Sequence, residues 1–487
     1  MPTLNYSRRD LLKTAGMSLA GLAMAQAMPT KTTNSKRPNI IVVLADDLGY
    51  ECIGANGCTS YKTPNLDRLA AEGMRFDACY VQPLCTPTRV QMMTGIYNIR
   101  NYIDFAKLDP RCTTFANLFQ KSGYATCMAG KWQLGPDPLL PKKCGFDEYC
   151  LWQHRRWAEH KEAPPEERSV SRYYNPGLEI NGAVKDYTHG EYGPDVVSDY
   201  ALDFIERKKD QPFLLYYTMM LTHAPYSATP ESTDYGQKIP GGDAIANHRP
   251  DGINQHFHDM VEHTDKLMGK LVDKLDALGL RNNSLLIFLG DNGTATGTMS
   301  MMGDRKCWGG KGTPRDAGMH VPLIVSWPGH GTVGKTLPDL VDSTDFFPTI
   351  CEVAGVPIPK ELKLDGCSFA PRLNGEKGNP RDSYYCWYGA KLKQGVLGEF
   401  AATRDYKLTR IGEFFDLRKD LEELAPIPLA ELTGETKAIA ARLQLVLDRF
   451  KDARPKDLPA YRFSISSSQA RKKKLEAAAN KEDETKW

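Results

Sequence analysis

Several short stretches of the 487-residue chain carry residue types that do chemistry together. In "PLCTPTRVQMMTG" (83–95), Cys85 stands two residues ahead of Pro87 and four ahead of Arg89, where a helix reads as beginning. A helix start offers unpaired N–H groups to an anion, and a nearby fixed cation favours a thiolate. The position therefore suits a nucleophile or an anion, with the thiol expected to be exposed and activated rather than buried as a small hydrophobe. "VVLADD" ends in Asp46 and Asp47, and "LIFLGDNG" ends in Asp291 and Asn292. Two adjacent carboxylates cannot both be unpaired core residues, because their desolvation is too costly. Either pair alone reads as a cap or turn. At matching strand ends they form an oxygen-only set, which suits a hard cation such as Ca²⁺ or Mg²⁺ and not zinc.

The elements that must position these residues are five apolar runs ending abruptly in polar or glycine-flanked residues. They are "IIVVLADD" (40–47), "YATCMAGKW" (124–132), "FLLYYTMMLTHAP" (213–225), "SLLIFLGDNG" (284–293) and "VPLIVSWPG" (321–329). Continuous apolar runs fit strands buried on both faces, as in a mostly parallel sheet covered by helices. Between them, "TPNLDRLAAEGMRF" predicts a helix capped by Thr63, with Pro64 in its first turn and Gly73 as its stop. Apolar spacing predicts another over 258–280. Ligands of open α/β sheets gather beyond the carboxyl ends of the strands. Those ends carry Asp46, Asp47, Lys131, His223, Asp291 and Asn292, so one crevice would collect them.

Composition narrows the class. With 41% hydrophobic and 25% charged residues the chain reads as an ordinary globular α/β protein. "SRRDLLK" followed by "TAGMSLAGLAMAQA" predicts a twin-arginine export signal cleaved after Ala27, too short an apolar run to span a bilayer. The predicted organisation is a signal peptide (1–27), a linker (28–37), a large catalytic α/β domain (38–379), a C-terminal α+β subdomain with an antiparallel sheet (380–465) and a charged tail (466–487). The region 428–451 reads as helix-prone, and 152–193, rich in Trp, Tyr, Arg and Pro, as a pocket-shaping excursion. Its Trp152, Arg155, Arg156, Trp157, Arg172 and Tyr173 are candidates for stacking and anion contacts to a ligand, or a loop with no ligand role. Removing the signal brings the net charge of +2 to about zero, which argues against a nucleic-acid partner held by bulk charge. No membrane insertion is expected after cleavage. Twelve cysteines without a CxxC pair suggest neither a zinc knuckle nor a dense disulfide framework.

"CTPTR" continuing into "VQMMTG" resembles the C-x-P-x-R signature of the type I sulfatases of the alkaline phosphatase superfamily. The similarity runs in order through "RPNIIVVLADDLGY", "TPNLDRLAAEGMRF", "GYATCMAGKWQLG", "THAPY", "GDNG", "GGKGTPRDAGMHVPLIVSWPG", "YKLTR" and "FFDLRKD". It implies an alkaline phosphatase-like fold and hydrolysis of a sulfate ester, with Cys85 oxidised to formylglycine by a formylglycine-generating enzyme before folded export. It implies one Ca²⁺ held by Asp46, Asp47, Asp291, Asn292 and the modified Cys85. Arg89 corresponds to the arginine that steadies the aldehyde hydrate, Lys131 and Lys311 to lysines on the sulfate, and His223 to the histidine by the leaving oxygen. Exported relatives often act on sulfated glycans, which makes a glycan sulfate the expected substrate. A phosphodiesterase or phosphonate monoester hydrolase of the same superfamily, and a non-catalytic binder of sulfated polymers, are the alternatives.

Two departures from the family pattern stand out. Gln133 occupies the histidine position of G-K-W-H, and glutamine cannot take a proton near neutral pH, so it is expected only to orient the nucleophile. "RDAGMH" (315–320) replaces a Glu-Gly-Gly-x-Arg pattern, which reads as a packing change. His154, His160, His256, His258 and His263 read as structural or surface residues.

Overall fold

The computed structural model describes residues 37–153, 171–237, 249–331 and 333–473. The proposed signal, His154, Arg155, Arg156, Trp157, His160 and the chain beyond residue 473 lie outside the described residues.

Sixteen strands are described: β1 (Asn39–Ala45), β2 (Met74–Tyr80), β3 (Ala125–Lys131), β4 (Glu148–Trp152), β5 (Gly177–Ile180), β6 (Ala183–Asp186), β7 (Phe213–Thr218), β8 (Ser284–Gly290), β9 (Met299–Met302), β10 (Arg305–Trp308), β11 (His320–Ser326), β12 (Lys335–Asp342), β13 (Tyr384–Tyr388), β14 (Gly398–Ala402), β15 (Tyr406–Thr409) and β16 (Phe414–Asp416). Ten form one sheet in the order β12-β2-β11-β8-β1-β7-β3-β4-β5-β6. Strands β1, β7 and β8 are buried along their whole length, as continuous apolar runs require. Alternation divides β1 between two cores. Ile40, Val42 and Leu44 pack with Val90, Phe115, Phe119 and Phe347 on one face. Ile41, Val43 and Ala45 pack with Leu66, Phe204, Phe257 and Met260 on the other. Helices thus cover both faces of a large, mostly parallel sheet.

Each predicted run contains a strand; β1 and β8 stop before the aspartates, whereas β3 includes Lys131. The run 213–225 leaves the sheet after Thr218, and β8 ends at Gly290. β11 runs antiparallel to both β2 and β8, unlike its parallel neighbours in the sheet centre. Hydropathy reports burial and not direction, so this was invisible in the sequence. The predicted helix at 63–73 spans Pro64–Glu72, but Thr63 makes no capping hydrogen bond. Its hydroxyl instead accepts from Gly54 N and donates to Asp67. Gly73 ends the helix without a left-handed turn. The helix predicted at 258–280 spans Gln255–Ala277, capped by Asn254.

β13 to β16 form a separate four-stranded antiparallel sheet, followed by a helix over Gly434–Phe450. Tyr385, Trp387, Leu408, Leu443 and Leu447 share a hydrophobic cluster with the large sheet, so the two sheets bury apolar surface together. Among the described residues no helix is long and apolar enough to cross a membrane.

Candidate active site

Parallel register brings the chemical residues to one edge. Ala45 pairs with Gly290, Leu44 with Thr218, and Thr218 with Gly130, so β1, β8, β7 and β3 end together. Asp46, Asp47, Asp291 and Asn292 follow at that edge, and Lys131 is the last residue of β3 there. Gly130 is required there: its φ is +110°, and a Cβ would lie 1.8 Å from the Thr218 carbonyl oxygen. Asp47 and Gln133 hold left-handed φ values of 62° and 49°, a conformation that non-glycine residues adopt at a cost and that clusters at functional sites.

Three buried carboxylates each meet a cation. Lys131 Nζ lies 2.7 and 2.9 Å from the two Asp46 oxygens. Lys311 Nζ donates to Asp47 Oδ2 at 2.6 Å. Arg89 donates to Asp291 Oδ2 through Nε and Nη2 at 3.1 and 2.8 Å, and its Nη1 donates to the Lys131 carbonyl at 3.0 Å. Burial opposes ionisation of Asp46, yet Lys131, with His223 and Arg89, holds its carboxyl far below the usual range. Burial and the adjacent Asp46 push Asp291 the other way. Burial would lower the Lys311 ammonium, but Asp47 keeps it raised and charged.

Asn292 Nδ2 donates to Asp47 Oδ1 at 2.8 Å, while Asn292 Oδ1 is buried without a hydrogen-bond partner. An orphaned amide oxygen beside three carboxylates fits a hard cation, whose ligands are oxygens. Ligand atoms of Asp46, Cys85 and Asp291 lie within 4.8 Å of one another, as do those of Asp46, Asp47 and His223.

Cys85 opens the helix Cys85–Thr94 as the sequence suggested, but its thiol is only 2% exposed, against the expectation of an exposed, activated group. It donates to Gln133 Oε1 at 2.9 Å, and burial outweighs Lys131 and Lys311 to raise its pKa. A thiol so held is a poor nucleophile. His223 Nδ1 faces the Ala224 carbonyl, which only accepts, so that nitrogen carries the proton and Nε2 points to Asp47 Oδ2 at 3.9 Å. Burial takes the imidazole down to about 3, against the pull of Asp47 and Asp46.

The structure therefore joins all ten residues singled out from the sequence, and adds others. Thr222 N donates to the Asp46 carbonyl at 2.5 Å and its hydroxyl to the Asp47 carbonyl at 3.1 Å, tying the His223 segment to the carboxylates. Lys311 N donates to Thr294 O and Gly312 N to Pro83 O, which docks the Lys311 loop against the entrance of the Cys85 helix. Nothing local marks Thr222 or Thr294. In the "RDAGMH" segment His320 stacks between Tyr50 and Tyr80, with ring centroids 4.1 and 4.9 Å away, and Tyr80 donates to Asp316. His256 and His263 are buried and paired with Asp234 and with Asp195 and Glu231, as structural histidines are.

Residues 38–356 match the sulfatase family, and residues 307–452 match the family described as N-sulphoglucosamine sulphohydrolase, C-terminal. The chain is 31% identical to human (Homo sapiens) arylsulfatase A over 423 residues, covering 80% of this chain and 76% of that protein. It is 32% identical to mouse (Mus musculus) N-acetylgalactosamine-6-sulfatase over 397 residues, covering 75% and 71%. Among solved structures it is similar to Ps i-CgsB in complex with k-i-k-neocarrahexaose, with a TM-score of 0.70, 25% identity, and coverage of 93% of this chain and 100% of that one. BT4656 in complex with its substrate D-glucosamine-2-N,6-O-disulfate shares the fold, with a TM-score of 0.68 at 21% identity and coverage of 87% and 100%. On the family match over most of its length and on these relatives, the chain belongs to the sulfatase family and is a hydrolase of sulfuric ester bonds.

Proposed function

We propose that the protein removes sulfate from a sulfated sugar, using a formylglycine made from Cys85 and one Ca²⁺ ion held by Asp46, Asp47, Asp291, Asn292 and the modified residue. The observation that carries this reading is the placement of an unreactive, buried thiol beside the carboxylates of Asp46 and Asp291 and the cations Lys131, Lys311 and Arg89. A thiol nucleophile would be exposed and ionisable; a precursor needs only to be in the right place. Once formed, formylglycine supplies a hydroxyl nucleophile, and the ion supplies a template and Lewis acid for one sulfate oxygen.

The chain's own residues do the rest. Lys131 and Lys311 present fixed ammonium groups to the sulfate oxygens, stabilising developing charge without solvent reorganisation. Arg89, braced by Asp291 and the Lys131 carbonyl, holds a cation beside residue 85. Gln133 accepts a hydrogen bond from that side chain and orients it, but takes no proton. His223 Nε2 is free of the Ala224 contact but bare in the neutral ring, so it would have to take up a proton before it could serve the leaving oxygen as an acid.

Sugar specificity draws on the names of relatives, which include an N-acetylgalactosamine-6-sulfatase and a structure in complex with k-i-k-neocarrahexaose. Twin-arginine export of the folded, modified protein completes the reading. Mass spectrometry of the Cys85 peptide, from protein made with and without a formylglycine-generating enzyme, tests it. Loss of the mass separating CH₂–SH from CHO is expected. An unmodified thiol in protein made with the maturing enzyme would sink the mechanism and leave a binder of sulfated polymers. Comparing sulfate release from N-acetylgalactosamine 6-sulfate with hydrolysis of a nitrophenyl phosphodiester separates a sulfatase from a phosphodiesterase.

A further inference from the structure

We infer that Arg172 selects the substrate by reading a second anionic group on the alcohol portion, beside the scissile sulfate. This rests on the sulfatase reading above.

Arg172 reaches the site from a remote segment, and its backbone is fixed. Tyr173 donates its hydroxyl to the carbonyls of Met220 and His223, which binds the Arg172 segment to the residue at the leaving-group side. Gly193 N donates to Tyr173 O at 2.7 Å, and a Cβ on Gly193 would lie 2.0 Å from the Arg172 carbonyl oxygen. The guanidinium carbon sits over the Trp152 ring, 4.0 Å from its centroid, a cation–π contact that holds the group in place. The side chain is 12% exposed, and Nη1 lies 4.0 Å from Asp46 Oδ2. Nη1 is buried and makes no hydrogen bond. A buried guanidinium donor without an acceptor is costly, and a water, ion or ligand that accepts from it relieves that cost.

Charge matching explains why Arg172 is surplus to the sulfate machinery. Asp46, Asp47 and Asp291 are already matched by Lys131, Lys311 and Arg89, and Lys131 contacts both Asp46 oxygens. Among the described residues Arg172 is a fourth cation whose one carboxylate neighbour, Asp46, is already held by Lys131. Its position follows from the neighbouring residue: Tyr173 donates its hydroxyl to the His223 carbonyl, which ties the Arg172 segment to that of His223. That anchoring brings Arg172 to the His223 side of the carboxylate cluster, the side assigned to the departing alcohol. A carboxylate or second sulfate there would meet a planar, pre-stacked donor pair, the geometry in which arginine recognises such anions.

The test is calorimetric binding of N-acetylgalactosamine 6-sulfate and 4,6-disulfate to full-length Cys85→Ser protein, which holds ligand without turnover. The Arg172-containing protein should bind the disulfate roughly 10- to 100-fold more tightly, the range of one charge-assisted contact. Arg172→Gln should reduce that preference to below about threefold and leave affinity for the monosulfate within about threefold, since the sulfate cations remain. Arg172→Lys should fall between, keeping the charge without the fork. A merely structural role would weaken both ligands alike. Equal loss on both, no preference in the Arg172-containing protein, or no binding of either sugar overturns the inference. Sulfate release by mature enzyme judges the underlying reading separately: preference without release sinks hydrolysis and keeps Arg172, and release without preference does the reverse.

Discussion

Two regions bury charge in this protein, and they do so differently. Where β12 turns into the helix Phe346–Ala354, Asp345 accepts from Arg381 Nε at 2.7 Å, from Arg381 Nη2, from Asp342 N at 2.8 Å and from Cys367 N at 2.6 Å. Every acceptor direction is used, so the pair is a closed clip. At the edge of β1 and β8, three carboxylates crowd together, an amide oxygen has no partner, and the left-handed Asp47 holds the turn. Both regions contain aspartates and cations; open valence is what separates a site from a clip.

Four changes break or sharpen that contrast. The largest effect falls on Cys85. Cys85→Ser in protein matured with the modifying enzyme should lower sulfate release by about 10⁴-fold or more, the scale for removing a nucleophile, with circular dichroism and melting unchanged. Next, Arg381→Met should cost about 3–5 kcal/mol of stability by stranding buried Asp345, read by urea unfolding, with turnover per folded molecule preserved. If Arg381→Met instead abolished turnover at full stability, the clip would belong to the site. Third, Ca²⁺ at 100 times its Kd should stabilise the protein by about 2.7 kcal/mol, a response that Asp291→Asn removes and Asp345→Asn keeps. A Ca²⁺ response in Asp291→Asn protein would dissolve the distinction between open and closed sets. The smallest effect is Gln133→His, expected to change the burst and steady-state rates by about tenfold or less and to alter their pH dependence. Unchanged profiles would remove proton relay from that position.

Much of this was legible in sequence because it rests on local residue type. Apolar runs such as Ile40–Ala45 and Leu285–Leu289 must be buried, and the aspartates that follow them must leave the sheet at its edge. The C-x-P-x-R motif fixed the place of Cys85 and Arg89 at a helix start, and no tertiary contact was needed to see it.

Tertiary structure alone decided the rest. That the thiol would be shut in and bonded to Gln133, 48 positions away, depends on how β3 and the helix Cys85–Thr94 meet. Which cation serves which carboxylate, the antiparallel course of β11, and the approach of Arg172 to Asp46 all follow from strand pairing and loop closure between distant segments. Burial is written in the type of each residue, whereas partnership is written in the path of the chain, and hydropathy carries only the first.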